Sequence, residues 1–306
     1  MERKVIVILG PTCSGKTDLG ISVAEKLRSE IISADSRQIY KYLNIGTAKP
    51  TANVMKGIPH HFIDMLNPDQ DYNVSRYEND ALSVMNELLY RGKIPIVVGG
   101  SGLYIRALTK GIFDSVDNDP DYREELLEQR EKFGNEFLYN QLKAVDPESA
   151  ANMLPQNWKR VIRALEVLHL TGEPIWKIQQ NHSRTSDLKF CMYGLSWDRE
   201  TLYKNIEKRV DKMISSGLVD EVKQILDMGY NKNINSLNTV GYKEIISYLE
   251  NEISLDRAIE LIKRNTRRYA KRQLTWFRKD ELINWLPIAT NNDLNNAGNI
   301  ILKNFS

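Results

Sequence analysis

The run Gly10-Pro11-Thr12-Cys13-Ser14-Gly15-Lys16-Thr17 directly follows the apolar stretch Val5-Ile6-Val7-Ile8-Leu9. This junction restricts the possible folds more than any other part of the chain. It matches G-x-x-x-x-G-K-[ST] at every fixed position. A buried strand that ends in glycines lets the backbone curl until its N–H groups converge on an anion. Lys16 adds a mobile positive charge, and the Thr17 hydroxyl offers a ligand to Mg²⁺. A helical pattern follows at Leu19, Val23, Ala24 and Leu27. Strand, loop and helix in this order call for a parallel α/β sheet. The loop by itself does not say which phosphate it holds.

Composition narrows the class. The 306 residues can bury a large core as one domain with an insertion or as two domains. A net charge of +2 gives no general attraction to polyanions, so any such attraction must come from local clustering. Cys13 and Cys191 make neither a disulfide framework nor a zinc cluster, which suits a reducing cytoplasm. Cys13 reads as a space-filler within the loop. No apolar run approaches the ~18 residues of a membrane span, and the early first strand leaves no room for a signal peptide. A cytoplasmic monomer with no membrane association is therefore expected.

Further along, Glu30-Ile31-Ile32-Ser33-Ala34 reads as a second buried strand that delivers Asp35-Ser36-Arg37-Gln38 at its carboxyl end, where open α/β sheets bind ligands. Asp35 can organise Mg²⁺ or water, act as a general base, or cap a helix. The loop-rich stretch from Tyr40 to Asp64 carries a small cationic cluster at Gly46-Thr47-Ala48-Lys49-Pro50 that can face an anion, and Pro59-His60-His61, where structural roles are expected. Tyr77 to Leu89 is amphipathic. Ile94-Pro95-Ile96-Val97-Val98 reads as a third strand and runs into Gly99-Gly100-Ser101-Gly102. Beside a phosphate loop, this second glycine turn is a candidate second wall, with Ser101 as a hydroxyl donor.

The pattern changes at Phe113. Residues 114–189 read as helices at Asp121–Phe133, Glu136–Val145 and Gln156–Leu170, broken at Asp119-Pro120 and Asp146-Pro147. The third helix carries Lys159, Arg160 and Arg163 along one edge, either a solvated face or a phosphate clamp. Phe190 to Leu195 returns to the sheet. A last long helix from about Leu255 carries Arg257, Lys263, Arg264, Arg267, Arg268, Lys271, Arg272, Arg278 and Lys279 against one interior acid, Glu260. Cations on one helix with Tyr269, Trp276 and Phe277 interleaved are a nucleic-acid footprint. The Asn-rich tail from Thr290 is expected to be mobile. The fold expected is α/β: a P-loop NTPase-like parallel sheet flanked by helices (1–113 plus 190–306), with a helical insertion domain at 114–189.

ATP is the commonest ligand of such a loop. However, the strand Ile94–Val98 ends in glycines rather than in a metal-binding Asp, which argues against a motor or switch GTPase. The chain resembles the tRNA dimethylallyltransferase (tRNA isopentenyltransferase) family in its bacterial form. The resemblance rests on Gly10–Thr17, Ser33–Tyr40, Gly46–Pro50, Pro59-His60-His61, Val98–Tyr104, Arg160–Glu166, Gly241-Tyr242-Lys243-Glu244 and Lys271–Arg278, which follow the family's order over nearly the whole chain. The eukaryotic members' C-terminal zinc finger is absent. The resemblance implies transfer of the dimethylallyl group of dimethylallyl diphosphate to the exocyclic amine of adenosine 37 in tRNA.

By that likeness, Gly10, Pro11, Thr12, Cys13, Ser14, Gly15, Lys16 and Thr17 bind the diphosphate or a nucleotide, and Thr17 places Mg²⁺. Asp35 acts as general base, with Lys16, Thr17 and Ser101 beside it. tRNA contacts are implied for Asp35 to Gln38, Ser101, Arg123 and the run Lys159, Arg160, Val161, Ile162, Arg163. The basic helix adds Arg267, Arg268, Lys271 and Arg272. Ser101 and Cys13 stand where the family usually has Thr and Ala. Leu154-Pro155-Gln156-Asn157 departs from its usual His-Pro-Asn-Asn/Asp. A small-molecule kinase and an adenylate isopentenyltransferase are the alternatives, but neither needs the basic helix.

Overall fold

A computed structural model describes residues 2–112, 119–181 and 187–305. Six strands, β1 (Arg3–Leu9), β2 (Ile31–Ala34), β3 (His60–His61), β4 (Ile96–Gly99), β5 (Leu188–Trp197) and β6 (Ile283–Ile288), form one sheet in the order β3-β2-β4-β1-β5-β6. Every pairing is parallel. β1 lies inside the sheet and is covered on both faces, so its sequence is a continuous apolar run rather than an alternating one. Alternate residues divide between the two faces. Val5, Val7 and Leu9 pack with Tyr77, Met85, Leu108 and Ile206, while Ile6 and Ile8 pack with Leu19, Val23 and Ile301.

Register brings the carboxyl ends of three strands level. Leu9 pairs with Gly99, and Gly99 with Ala34, so Gly10, Asp35 and Gly100 leave the sheet along one edge. On one side β1 meets β4, which returns toward β2; on the other it meets β5. This is the switch in strand order at which open parallel sheets bind ligands.

Two expectations need correction. His60–His61 was expected in a loop but pairs with Ile31 and Ile32 as an edge strand. The tail is not loose either. β6 is followed by a helix, Asn291–Lys303, with Thr290 and Asp293 in a reciprocal capping box. Ala297 and Ile301 bury this helix against the core that includes Leu19.

The chain separates into one compact unit of Met1–Thr109 with Ser186–Ser306 and a second of Lys110–Thr185. The breaks expected near 113 and 189 thus lie about four residues earlier, and residues 113–118 and 182–186 are outside those described. In the second unit, helices Pro120–Phe133, Asn135–Val145 and Trp158–Thr171 enclose Leu126, Leu138, Leu142, Val161 and Ile162. The Asp-Pro pairs act as helix starts. Asp119 accepts from Tyr122 N–H and Asp146 from Ser149 N–H, with proline in the first turn of each helix.

Candidate active site

The helix Lys16–Leu27 begins at Gly15, whose φ of 83° is left-handed and which supplies no side-chain cap. Its first-turn N–H groups therefore have no intrahelical acceptor and point out at the loop. Cys13 is also left-handed, at φ 64°. For a residue with a Cβ this costs roughly 1–2 kcal/mol, the kind of local strain found where a backbone must wrap a ligand. Ser14 is buried, and its Oγ has no hydrogen-bond partner among the described residues. An orphaned buried hydroxyl in a loop of converging donors is suited to an anion or to the ion accompanying it.

Lys16 Nζ donates to the Pro11 carbonyl at 3.0 Å. Burial, and then the Arg209 charge, lower its pKa to about 8, while Asp35 and Cys13 act in the opposite sense. Arg209, on the helix Arg199–Ser215, lies 3.5 Å from Thr12 Oγ1. Two cations therefore converge on one loop, a costly arrangement unless an anion comes between them. Trp197, at the end of β5, donates through Nε1 to the Ser14 carbonyl at 2.9 Å. Sequence reasoning missed both residues. Arg209 is one of many helical cations, and only tertiary packing reveals its neighbour.

At the end of β2, Asp35 Oδ1 accepts from the N–H groups of Arg37 at 2.9 Å and Gln38 at 3.3 Å. It caps a turn rather than a helix, and Oδ2 has no hydrogen-bond partner among the described residues. The carboxylate thus combines two of the expected roles, fixed through one oxygen and available through the other. At the end of β4, Ser101 N–H donates to the Ala34 carbonyl at 3.1 Å. Gly99 is required there because a Cβ would collide with that carbonyl. Asp35 and Ser101 are therefore carried by strand ends locked side by side. Gln273, from the helix Leu255–Phe277, completes the wall. Its Oε1 accepts from Thr12 N–H at 2.9 Å, and its Nε2 donates to the Gly100 carbonyl at 2.8 Å.

Known proteins share this architecture. The IPP transferase family model matches residues 38–280. A tRNA dimethylallyltransferase of Pelotomaculum thermopropionicum is 50% identical over 94% of this chain and 91% of its own. That of Alkaliphilus oremlandii is 46% identical over 100% and 98%. This chain belongs to the IPP transferase family. Among solved structures, the tRNA isopentenylpyrophosphate transferase from Bacillus halodurans is similar with a TM-score of 0.73 and 38% identity over 98% of this chain and 96% of its own. A eukaryotic dimethylallyltransferase acting on tRNA gives 0.77 and 30% over 93% and 73%.

The cations of this IPP transferase family member are not equally available. Lys49 turns inward. It donates to the Tyr40 carbonyl at 2.7 Å and pairs with Asp64 at 2.5 Å, so it fastens its own loop instead of facing an anion. Gln38 holds the same loop through the carbonyls of Thr47 at 3.2 Å and Ala48 at 3.4 Å, and Arg37 donates to the Asn235 carbonyl at 2.7 Å. From beneath, Glu221 accepts from the N–H groups of Asn44, Ile45 and Gly46 and from the Tyr242 hydroxyl. The two histidines have structural partners: His61 lies 2.8 Å from Glu30, and His60 2.8 Å from the Ile58 carbonyl.

On the basic helix, Arg267 pairs with Glu207 at 2.8 Å and Lys263 with Asp211 at 2.6 Å. Arg268, Lys271 and Arg272 are exposed and have no ion pair among the described residues. Within the second unit, Arg163 and Arg123 converge on the fully buried Glu166, at 2.7 and 3.2 Å. Val161 and Ile162 are fully buried in that unit's core, so their side chains are not offered to a ligand. Lys159, over the Trp158 ring, and Arg160 are exposed. The edge read as a clamp is thus divided between an internal ion pair and two accessible cations.

Proposed function

We propose that this transferase moves the dimethylallyl group of dimethylallyl diphosphate to the N6 amine of adenosine 37 in tRNA, with Gly10–Thr17 holding the diphosphate. The observation that carries this reading is the single sheet edge at which loop N–H groups, Lys16 and Arg209 stand beside the unengaged oxygen of Asp35. A donor diphosphate there would face concentrated positive charge, which stabilises the leaving group as its own charge develops. The amine nitrogen would form its bond to the allylic carbon as the carbon–oxygen bond breaks. Diphosphate would depart with the bonding electrons, and Asp35 would take the amine proton. The oxygen fixed by the Arg37 and Gln38 N–H groups holds this base in orientation.

Mg²⁺ fits the same place. No group of three or more His, Cys, Asp or Glu side chains among the described residues is arranged to hold a metal. The Thr17 hydroxyl and the orphaned Ser14 Oγ would supply oxygen ligands of the kind Mg²⁺ accepts alongside phosphate oxygens. When bound, the ion would neutralise diphosphate charge. For the acceptor, Ser36, Ser101, Lys159, Arg160, Arg268, Lys271 and Arg272 are the candidate tRNA contacts, and the adenine must leave its stack to reach Asp35. No helix among the described residues is long and apolar enough to cross a membrane.

Incubation with labelled dimethylallyl diphosphate, Mg²⁺ and either tRNA or AMP tests the reading. Label is expected in tRNA at a single adenosine. Label in AMP alone points to an adenylate isopentenyltransferase, and ATP-dependent phosphorylation of a metabolite without prenyl transfer points to a kinase. Either result would overturn the proposal.

A further inference from the structure

We infer that Gln273 is a positioning residue for the donor site, clamping the phosphate loop to the second glycine turn. The inference rests on reading Gly10–Thr17 as the diphosphate site. Gln273 is 6% exposed and lies on the apolar stripe Ala270-Gln273-Phe277 of its helix, where an aliphatic side chain would be the ordinary choice. Its amide instead accepts from Thr12 N–H at 2.9 Å and donates to the Gly100 carbonyl at 2.8 Å. Only a group that donates and accepts at once can bridge an N–H to a C=O, and among side chains of this length only the amide does so while neutral at every working pH.

The glycine turn is cut to receive this helix. A Cβ on Gly100 would collide with the Gln273 amide, and one on Gly102 with the Trp276 indole. The helical turn Gln273–Trp276 is therefore seated directly on Gly100–Gly102, and the loop at Thr12 is tied to the same point. Because Thr12 N–H is fixed this way, it is not one of the donors left for the ligand. The direction of the remaining loop N–H groups follows from where Thr12 is held. Gln273 does not touch the proposed base, and its effect reaches the reaction through the loop.

Gln273→Glu and Gln273→Leu separate this role from mere packing. Leu leaves Thr12 N–H and the Gly100 carbonyl buried and unpaired. Glu keeps the acceptor for Thr12 but, when ionised, sets a carboxylate oxygen against the Gly100 carbonyl. Inorganic diphosphate binding and steady-state kinetics are measured for both variants and the unaltered protein. We expect diphosphate affinity and the KM for dimethylallyl diphosphate to worsen about tenfold or more, with the KM for tRNA unchanged. In Gln273→Glu the defect should shrink as pH falls toward 6 and the carboxyl regains a proton to donate. Unchanged diphosphate affinity in both variants overturns the inference, as does an equal loss for donor and tRNA. Absence of prenyl transfer by the unaltered protein would instead overturn the proposed function, and the diphosphate titration reads the clamp independently of it.

Discussion

Arg267 donates to the Glu207 carboxylate across 2.8 Å, so a cation of the basic stripe is neutralised within its own unit. The neighbouring residue, Arg268, is exposed and carries no such partner among the described residues. Sign and spacing alone make the two look equivalent; their surroundings make them different.

Arg268→Ala is therefore expected to weaken tRNA binding and to reduce the slope of log affinity against log salt by about one. Arg267→Ala should change that slope by clearly less, because its charge is already compensated. Filter binding over a series of salt concentrations checks both; equal slopes for the two variants would contradict the distinction.

Asp35→Asn should abolish transfer while leaving tRNA affinity within about twofold. The amide oxygen can still accept from the Arg37 and Gln38 N–H groups, so the turn survives and only the base is removed. Asp35→Ala removes both and is expected to be less stable as well. Single-turnover assays and tRNA titrations on the two variants separate base from cap.

Donor affinity should depend on pH through Lys16. Burial places its pKa near 8, and an anion prefers the protonated amine. The Lys16 contribution to diphosphate affinity is then flat below pH 8 and falls above it, approaching about tenfold per pH unit where deprotonation dominates. Lys16→Arg keeps its charge throughout, so the ratio of its calorimetric affinity to that of the unaltered protein should rise above pH 8 as the Lys16 contribution is lost.

Glu221→Ala is expected to destabilise the core unit by about 3 kcal/mol, because three backbone N–H groups and a tyrosine hydroxyl lose their acceptor in a buried place. Tyr242→Phe removes only one of these bonds and should cost about 1 kcal/mol. Urea unfolding midpoints of the two variants check the ratio.

Much of the architecture could be read locally. Val5–Leu9, the glycine loop and Leu19–Leu27 each carry their own signal, since a fully buried parallel strand must be apolar at every position. Asp35 and Ser101 were legible because they follow such strands. His60–His61 was not, because a two-residue strand exists only through its pairing with Ile31 and Ile32. The helix Asn291–Lys303 was hidden by its asparagines, whose weak helix propensity is overridden by burial of Ala297 and Ile301. Charge was the least legible property of all. Lys49, Arg123 and Arg267 read as free cations, yet each has a carboxylate partner well removed in sequence, and Arg163 pairs with Glu166 one turn along its own helix. Gln273 left one trace, an amide on an apolar helical stripe, but its two backbone partners belong to loops more than a hundred residues upstream.

The bond from Ser101 N–H to the Ala34 carbonyl has a consequence for substrate choice. It joins the two strand ends that carry the proposed base and its neighbouring hydroxyl, so their separation is inherited from the sheet and cannot adjust to a poorly fitting acceptor. Adaptation then falls on the nucleic acid. If Asp35 is the base, a target whose loop deforms cheaply should be accepted and a stiff duplex presenting the same base refused, so that selectivity would be exercised through the mechanics of the RNA as well as through its letters.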